Sequence, residues 1–69
     1  MKFIKKFDID SWANHYVSGE YELYRERLYK NDGTSKCDGD WMVQIDGKIE
    51  AIFSTLKEAK NYCIFVDSF

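Results

Sequence analysis

Asp46-Gly47 stands between two runs whose apolar residues alternate, and no other pattern constrains the chain as much. Upstream, Trp41, Val43 and Ile45 alternate with Met42 and Gln44; downstream, Ile49, Ala51 and Phe53 alternate with Glu50 and Ile52. A period of two marks a strand with one buried face, and Asp-Gly favours the tight turn that joins two such strands. The register is the open point. A two-residue turn sets Val43 opposite Glu50, whereas a three-residue loop over residues 46–48 sets Val43 opposite Ala51 and Trp41 opposite Phe53. Burial specifies register where one face meets a core, so the second pairing is expected, with a bulge near Gly47 to reconcile it with the turn.

The return strand runs straight into a helix signal. Thr55-Leu56-Lys57-Glu58 reads as a capping box, with the Thr55 hydroxyl closing the first turn and Glu58 reaching back to the Thr55 backbone. Behind it Leu56, Ala59, Cys63 and Val66 recur at three- and four-residue spacing, which draws one apolar stripe along a helix. That stripe belongs on the sheet face formed by Trp41, Val43, Ile45, Ile49, Ala51 and Phe53. Cys63 then serves as a small core residue, while Tyr62, Phe65 and Phe69 lie to one side.

The first half of the chain is less decided. Residues 2–7 alternate imperfectly around Phe3, Ile4 and Phe7 and read as a short strand. Asp10 fits a helix N-cap, Trp12, Ala13, Tyr16 and Val17 share one helical face, and Gly19 supplies a stop, so a short helix is expected over residues 11–18. Residues 20–30 fit either a helix or a strand. The strand is favoured because a lone hairpin is marginal and needs a third partner. As a strand it places Tyr21, Leu23, Arg25, Arg27 and Tyr29 on one face, with Glu22, Tyr24, Glu26, Leu28 and Lys30 on the other. Residues 31–40 form a polar loop with two Asp-Gly pairs. A calcium loop does not fit there, since Thr34, Lys36 and Ile45 fall where oxygen ligands are needed. The expectation is therefore a single α+β domain over residues 1–69. Its antiparallel sheet has three to four strands and carries a C-terminal helix on one face, in the order β-(short α)-β-β-β-α.

A chain of 69 residues buries only about 60% of its unfolded surface, which leaves a thin core and little room for a deep substrate cavity. The formal charge of −2 does not favour general attraction to a nucleic-acid backbone. No run approaches the roughly 18 apolar residues of a membrane span. Residues 1–6 show no apolar stretch behind their charges, and Cys37 and Cys63 lack CxxC spacing, so a cytoplasmic protein with reduced thiols is expected. His15 is the lone histidine, without a nucleophile at a family spacing, and no phosphate loop or paired metal ligands occur. The expectation is a non-enzymatic protein with no catalytic residues, metal or cofactor.

Phe53, Thr55, Glu58, Ala59 and Tyr62 resemble the strand-to-helix junction of AP2-like and integrase arm-binding domains. That resemblance implies a DNA-reading sheet face opposite the helix, here Met42, Gln44, Glu50 and Ile52. The run Thr55-Leu56-Lys57-Glu58-Ala59-Lys60-Asn61 is similar to the helix start of double-stranded RNA-binding domains, with Leu56 standing where those families place a lysine. The compact, tyrosine-rich chain, opening Met1-Lys2-Phe3-Ile4-Lys5, resembles small phage-encoded inhibitors of the anti-CRISPR type. That resemblance implies a protein that blocks a host macromolecular machine by protein–protein contact in the host cytoplasm. Nucleic acid is the alternative partner, and the protein is expected as a monomer or a homodimer.

Two candidate surfaces follow. Met42 and Ile52 should lie opposite each other on the side of the hairpin away from the helix, with Gln44 beside them. Either the segment holding Trp12, Tyr16 and Val17 folds over them, or they stay open as a contact patch. Arg25 and Arg27, flanked by Tyr21 and Tyr29 if that segment is a strand, with Tyr24 on its other face, form the second candidate, because arginine beside tyrosine suits protein hot spots and stacked bases alike.

Overall fold

A computed structural model describes all residues, 1–69. The main sheet has five antiparallel strands in sequence order: β1 (Ile4–Asp8), β2 (Ala13–Ser18), β3 (Tyr21–Arg25), β6 (Trp41–Ile45) and β7 (Lys48–Phe53). Between β3 and β6 the chain runs out into a two-stranded ribbon, β4 (Leu28–Tyr29) with β5 (Ser35–Lys36), and returns. One helix, α1 (Leu56–Asp67), lies across β3, β6 and β7. The expected small antiparallel sheet under a C-terminal helix forms, with five strands in place of three to four because residues 13–18 add one, and the expected loop over residues 31–40 contains β5. No helix is long and apolar enough to cross a membrane.

The hairpin register is Trp41↔Phe53 and Val43↔Ala51, as burial demands. The turn is nevertheless only Asp46-Gly47, both in the left-handed region (φ 51° and 84°), and Ile45 pairs with Lys48. The two facts coexist because Gln44 pairs with Ile49, which leaves Glu50 as an extra residue in β7. The bulge thus sits three residues beyond the glycine where it was expected. It also turns Ile49 to the face of Gln44, away from the helix, which corrects the placing of Ile49 in the core.

Cross-strand rows define the two faces. Tyr16, Leu23, Val43 and Ala51 form one row on the helix side, and Leu23 and Val43 are fully buried there beneath Ala59 and Cys63. Leu56 and Val66 complete the helical stripe, and Phe3 packs against the same cluster. Thr55 Oγ1 accepts from the Glu58 N–H at 3.2 Å. The Glu58 carboxylate accepts from the Thr55 and Ser54 hydroxyls, at 2.9 and 3.1 Å, rather than from the Thr55 backbone. Only half of the expected capping box forms.

The short helix over residues 11–18 is not there; Ala13–Ser18 is strand β2, paired on both sides. Tyr16 and Val17 favour extended backbone, and ladders to β1 and β3 outweigh the weak helical spacing of a segment this short. Gly19 is left-handed (φ 56°), but it turns a hairpin in which Ser18 faces Tyr21. A helix stop and a hairpin turn use the same glycine property, so that signal could not separate them.

The opposite face of the sheet is open. Its rows run Ile4–Val17–Glu22–Gln44–Ile49 and Lys6–His15–Tyr24–Met42–Ile52. Tyr16 points to the helix side and Trp12 lies outside β2, so the N-terminal segment does not fold over Met42 and Ile52.

Candidate functional site

The expected site residues fall into three places. Tyr21 leaves the surface set, because it is 6% exposed in the core, with its hydroxyl directed to Asp67 Oδ1 at 3.5 Å. Burial and the nearby Asp67 push its phenol above the ordinary range. Tyr24, Met42, Gln44 and Ile52 do come together on the open face, where Tyr24 donates to Gln44 Oε1 at 3.2 Å and Met42 faces Ile52. Arg25, Arg27 and Tyr29 belong to the third place, the end of the molecule from which the ribbon projects.

That end is built from two connections. Beyond Arg25 the β3–β6 ladder continues: the Glu26 N–H donates to Asp40 O at 2.8 Å, and the Gly39 N–H to Glu26 O at 3.0 Å. Gly39 is required by this approach, since a Cβ there would stand 2.9 Å from Glu26 O. Arg25 lies over the Trp41 ring, 5.7 Å from its centre, and donates to the carbonyls of Gly39 and Asp38. Arg27 donates to Ser35 Oγ at 2.8 Å and to the Ser11 carbonyl. Both arginines are therefore spent on backbone and hydroxyl acceptors, and what they hold is the ribbon and the neighbouring turn. Tyr29 on the ribbon is 76% exposed.

The neighbouring turn, residues 9–12 between β1 and β2, carries the feature that sequence reading missed. Trp12 has φ 55°, a conformation that costs an L-residue roughly 1–2 kcal/mol. Its side chain is 72% exposed, touching Phe7 edge-on at 5.2 Å between ring centres. Ile9 and Phe7 are exposed beside it. A strained backbone that displays a large apolar ring to water combines two unfavourable features at one residue. Strain of this kind persists only where surrounding structure imposes it.

The imposing structure is a polar cluster under the turn. The Ser11 hydroxyl donates to Asp8 Oδ2 at 2.8 Å, and the Ser11 N–H points to the same oxygen at 3.3 Å. His15 places Nε2 at 3.0 Å from Ser11 Oγ and 3.5 Å from Asp8 Oδ2, and Nδ1 at 2.8 Å from Glu22 Oε2. Its ring stacks on Tyr24 at 5.2 Å. Hydrogen bonds from Ser11 hold the Asp8 carboxyl below its ordinary value, ahead of the smaller influence of His15. Burial, with Glu22 second, raises the Tyr24 phenol.

Ser11, His15 and Glu22 have the connectivity of a hydrolytic triad. The chemistry differs at one bond. In a triad the imidazole accepts the hydroxyl hydrogen; here the Ser11 hydroxyl lies between two acceptors, with Asp8 Oδ2 at 2.8 Å competing with the His15 ring at 3.0 Å. A second carboxylate beside Oγ also opposes the negative charge that develops in acyl transfer. Nor do these side chains converge on a metal, because Glu22 and Asp8 meet opposite nitrogens of the ring. The cluster is a brace, fixing β1 to β2 and setting the backbone from which Trp12 projects.

The other charged groups are distributed unevenly. Asp8 and Glu22 outnumber Lys6 on the open face, whereas Lys60 lies on the helix side over Tyr16 and Phe3, at 5.0 and 5.8 Å. Comparison with protein-family models, with curated proteins and with solved structures finds no match for this chain.

Proposed function

We propose that this chain is a non-enzymatic binding protein that acts by protein–protein contact, docking through the end that bears Trp12 and occluding a working surface of a larger macromolecular machine. The observation that carries the reading is Trp12 itself: a left-handed, braced backbone holding an exposed indole beside Phe7 and Ile9. Tryptophan, tyrosine and arginine dominate the few residues that supply most binding energy at protein interfaces, and a pre-set backbone lowers the entropy lost on docking. Tyr29 and the exposed edge of Leu28 extend the same end with apolar surface. The open face, with Tyr24, Met42 and Ile52, offers a flatter second contact.

The nucleic-acid alternative is weaker on electrostatic grounds. In the resembling DNA-binding families the open sheet face meets the duplex, and here Asp8 and Glu22 on that face repel phosphate. The likeness to small phage-encoded inhibitors makes a CRISPR effector the first defined bait. The experiment is capture of that purified effector by the native chain and by Trp12→Ala and Trp12→Gly variants, with duplex DNA and duplex RNA alongside. Capture lost in both variants, with folding retained, supports the docking end. Salt-sensitive binding to nucleic acid that ignores Trp12 overturns it.

A further inference from the structure

The two edges of the five-stranded sheet are unlike. At one edge, β1 presents Lys5 and Lys6 in succession, the kind of charge that keeps an open strand from pairing with another chain. At the other edge, β7 carries its charges, Lys48 and Glu50, in its first half and ends in Ala51-Ile52-Phe53 with none. Apolar side chains flank this second edge on both sides. On the open face, Ile49 and Ile52 are more than half exposed. On the helix side, Tyr62 lies against Phe53 at 5.3 Å, which turns the Tyr62 side of α1 toward β7. Phe65, three residues on, lies next to that side, and Phe69, beyond the end of the helix, touches it edge-on at 4.9 Å; both are largely exposed. A band of apolar surface thus encloses an unpaired strand.

We infer that this edge is the site at which a second copy of the chain docks, β7 against β7 about a two-fold axis, joining two sheets into one. Area supports that occupant. The chain exposes 5024 Å², whereas a folded monomer of its mass of 8.2 kDa exposes about 4,500 Å². Ile49, Ile52, Phe65 and Phe69 contribute apolar surface on the order of 500 Å² to that total, and the strand edge brings it toward the roughly 800 Å² per partner of a stable interface. Antiparallel pairing of identical edges is self-complementary by symmetry, so no second protein is needed to satisfy the β7 amides and carbonyls. The Glu50 bulge confines regular pairing to the segment beyond it, and the Lys5-Lys6 edge stays guarded, so the assembly closes at two copies instead of growing.

The test is the mass of the native chain by sedimentation equilibrium from micromolar to hundreds of micromolar, for wild type, Ile52→Lys, Phe65→Lys and, on the far edge, Ile4→Lys. Wild type and Ile4→Lys should reach twice the monomer mass, while each β7-edge variant stays at the monomer mass with an unchanged circular-dichroism spectrum. Should the edge variants unfold, hydrogen exchange on the wild type decides: β7 amides should gain protection as concentration rises, and β1 amides should not. A wild type that remains monomeric throughout, a dimer that Ile4→Lys disrupts, or protection that appears at β1 overturns the inference.

Discussion

Replacing Trp12 by glycine and by alanine separates the two demands placed on that residue. Both substitutions remove the indole, and with it the edge contact to Phe7, a pair worth about 0.5–1.5 kcal/mol. They differ in the backbone. At φ 55° alanine keeps the steric conflict between Cβ and the following carbonyl, and glycine has none. The left-handed penalty of roughly 1–2 kcal/mol is partly offset by the greater freedom that glycine gives the unfolded chain, about 0.4–1 kcal/mol. Trp12→Gly should therefore be the more stable variant by about 1 kcal/mol. For a domain of this size that is a difference in melting temperature of about 4–8 °C. Differential scanning calorimetry on the pair measures it directly, because losses common to both variants cancel. Equal melting temperatures, or a higher one for alanine, would falsify the claim that the fold holds Trp12 under strain. The same pair carries the functional argument. Glycine relieves the strain and deletes the ring, so a variant at least as stable as alanine yet unable to dock assigns the indole to recognition.

Three further outcomes follow from the geometry. The Asp8 carboxyl is held below its ordinary value of 3.8, so its contribution is present above that pH and lost as pH falls through its lower folded value; Trp12 emission in a Trp41→Phe background should report release of the turn there, and Asp8→Asn should abolish the transition. Gly39→Ala brings a Cβ within 2.9 Å of Glu26 O and should cost about 1–3 kcal/mol in denaturant unfolding, with amide shifts concentrated in residues 26–40 and β1 unmoved. Cys63 is fully buried and its thiol pKa is raised above 9.0 by that burial, so a thiol-specific reagent should modify Cys37 in the native protein and reach Cys63 only on unfolding; equal rates would place the helix stripe outside the core.

The second half of the chain was legible because its signals are redundant. Alternation, an Asp-Gly turn, a Thr cap and a 3–4 stripe each specify part of the β6–β7–α1 unit, and packing Leu23 and Val43 under Ala59 and Cys63 agrees with all of them. The bulge at Glu50 was placed too near the turn because apolar alternation continues through Ile49, which the structure turns outward. The first half misled at residues 11–18. Its apolar spacing suits one turn of helix, and the ladders that make it a strand come from residues distant in sequence. Of the candidate site, the Met42–Ile52 pairing followed from register alone. The burial of Tyr21 did not, because alternation says which residues share a face and not how far the helix covers them. The Asp8–Ser11–His15–Glu22 brace and the display of Trp12 depend on a turn whose backbone leaves the common regions of conformational space, and local propensity carries no signal for that.

The ribbon of β4 and β5 is an excursion within an otherwise sequential meander. Because Arg25 pairs directly with Trp41, the chain could pass between them by a tight turn and leave the order of the sheet unchanged. Residues 30–34 at the tip of the ribbon can thus vary in length with little penalty to the body, since loop closure costs rise only slowly with length, whereas Arg27 and Gly39 at its base are tied to the Ser11 carbonyl and to Glu26. The sheet and helix carry a ribbon whose tip can change while its base goes on holding the turn from which Trp12 projects.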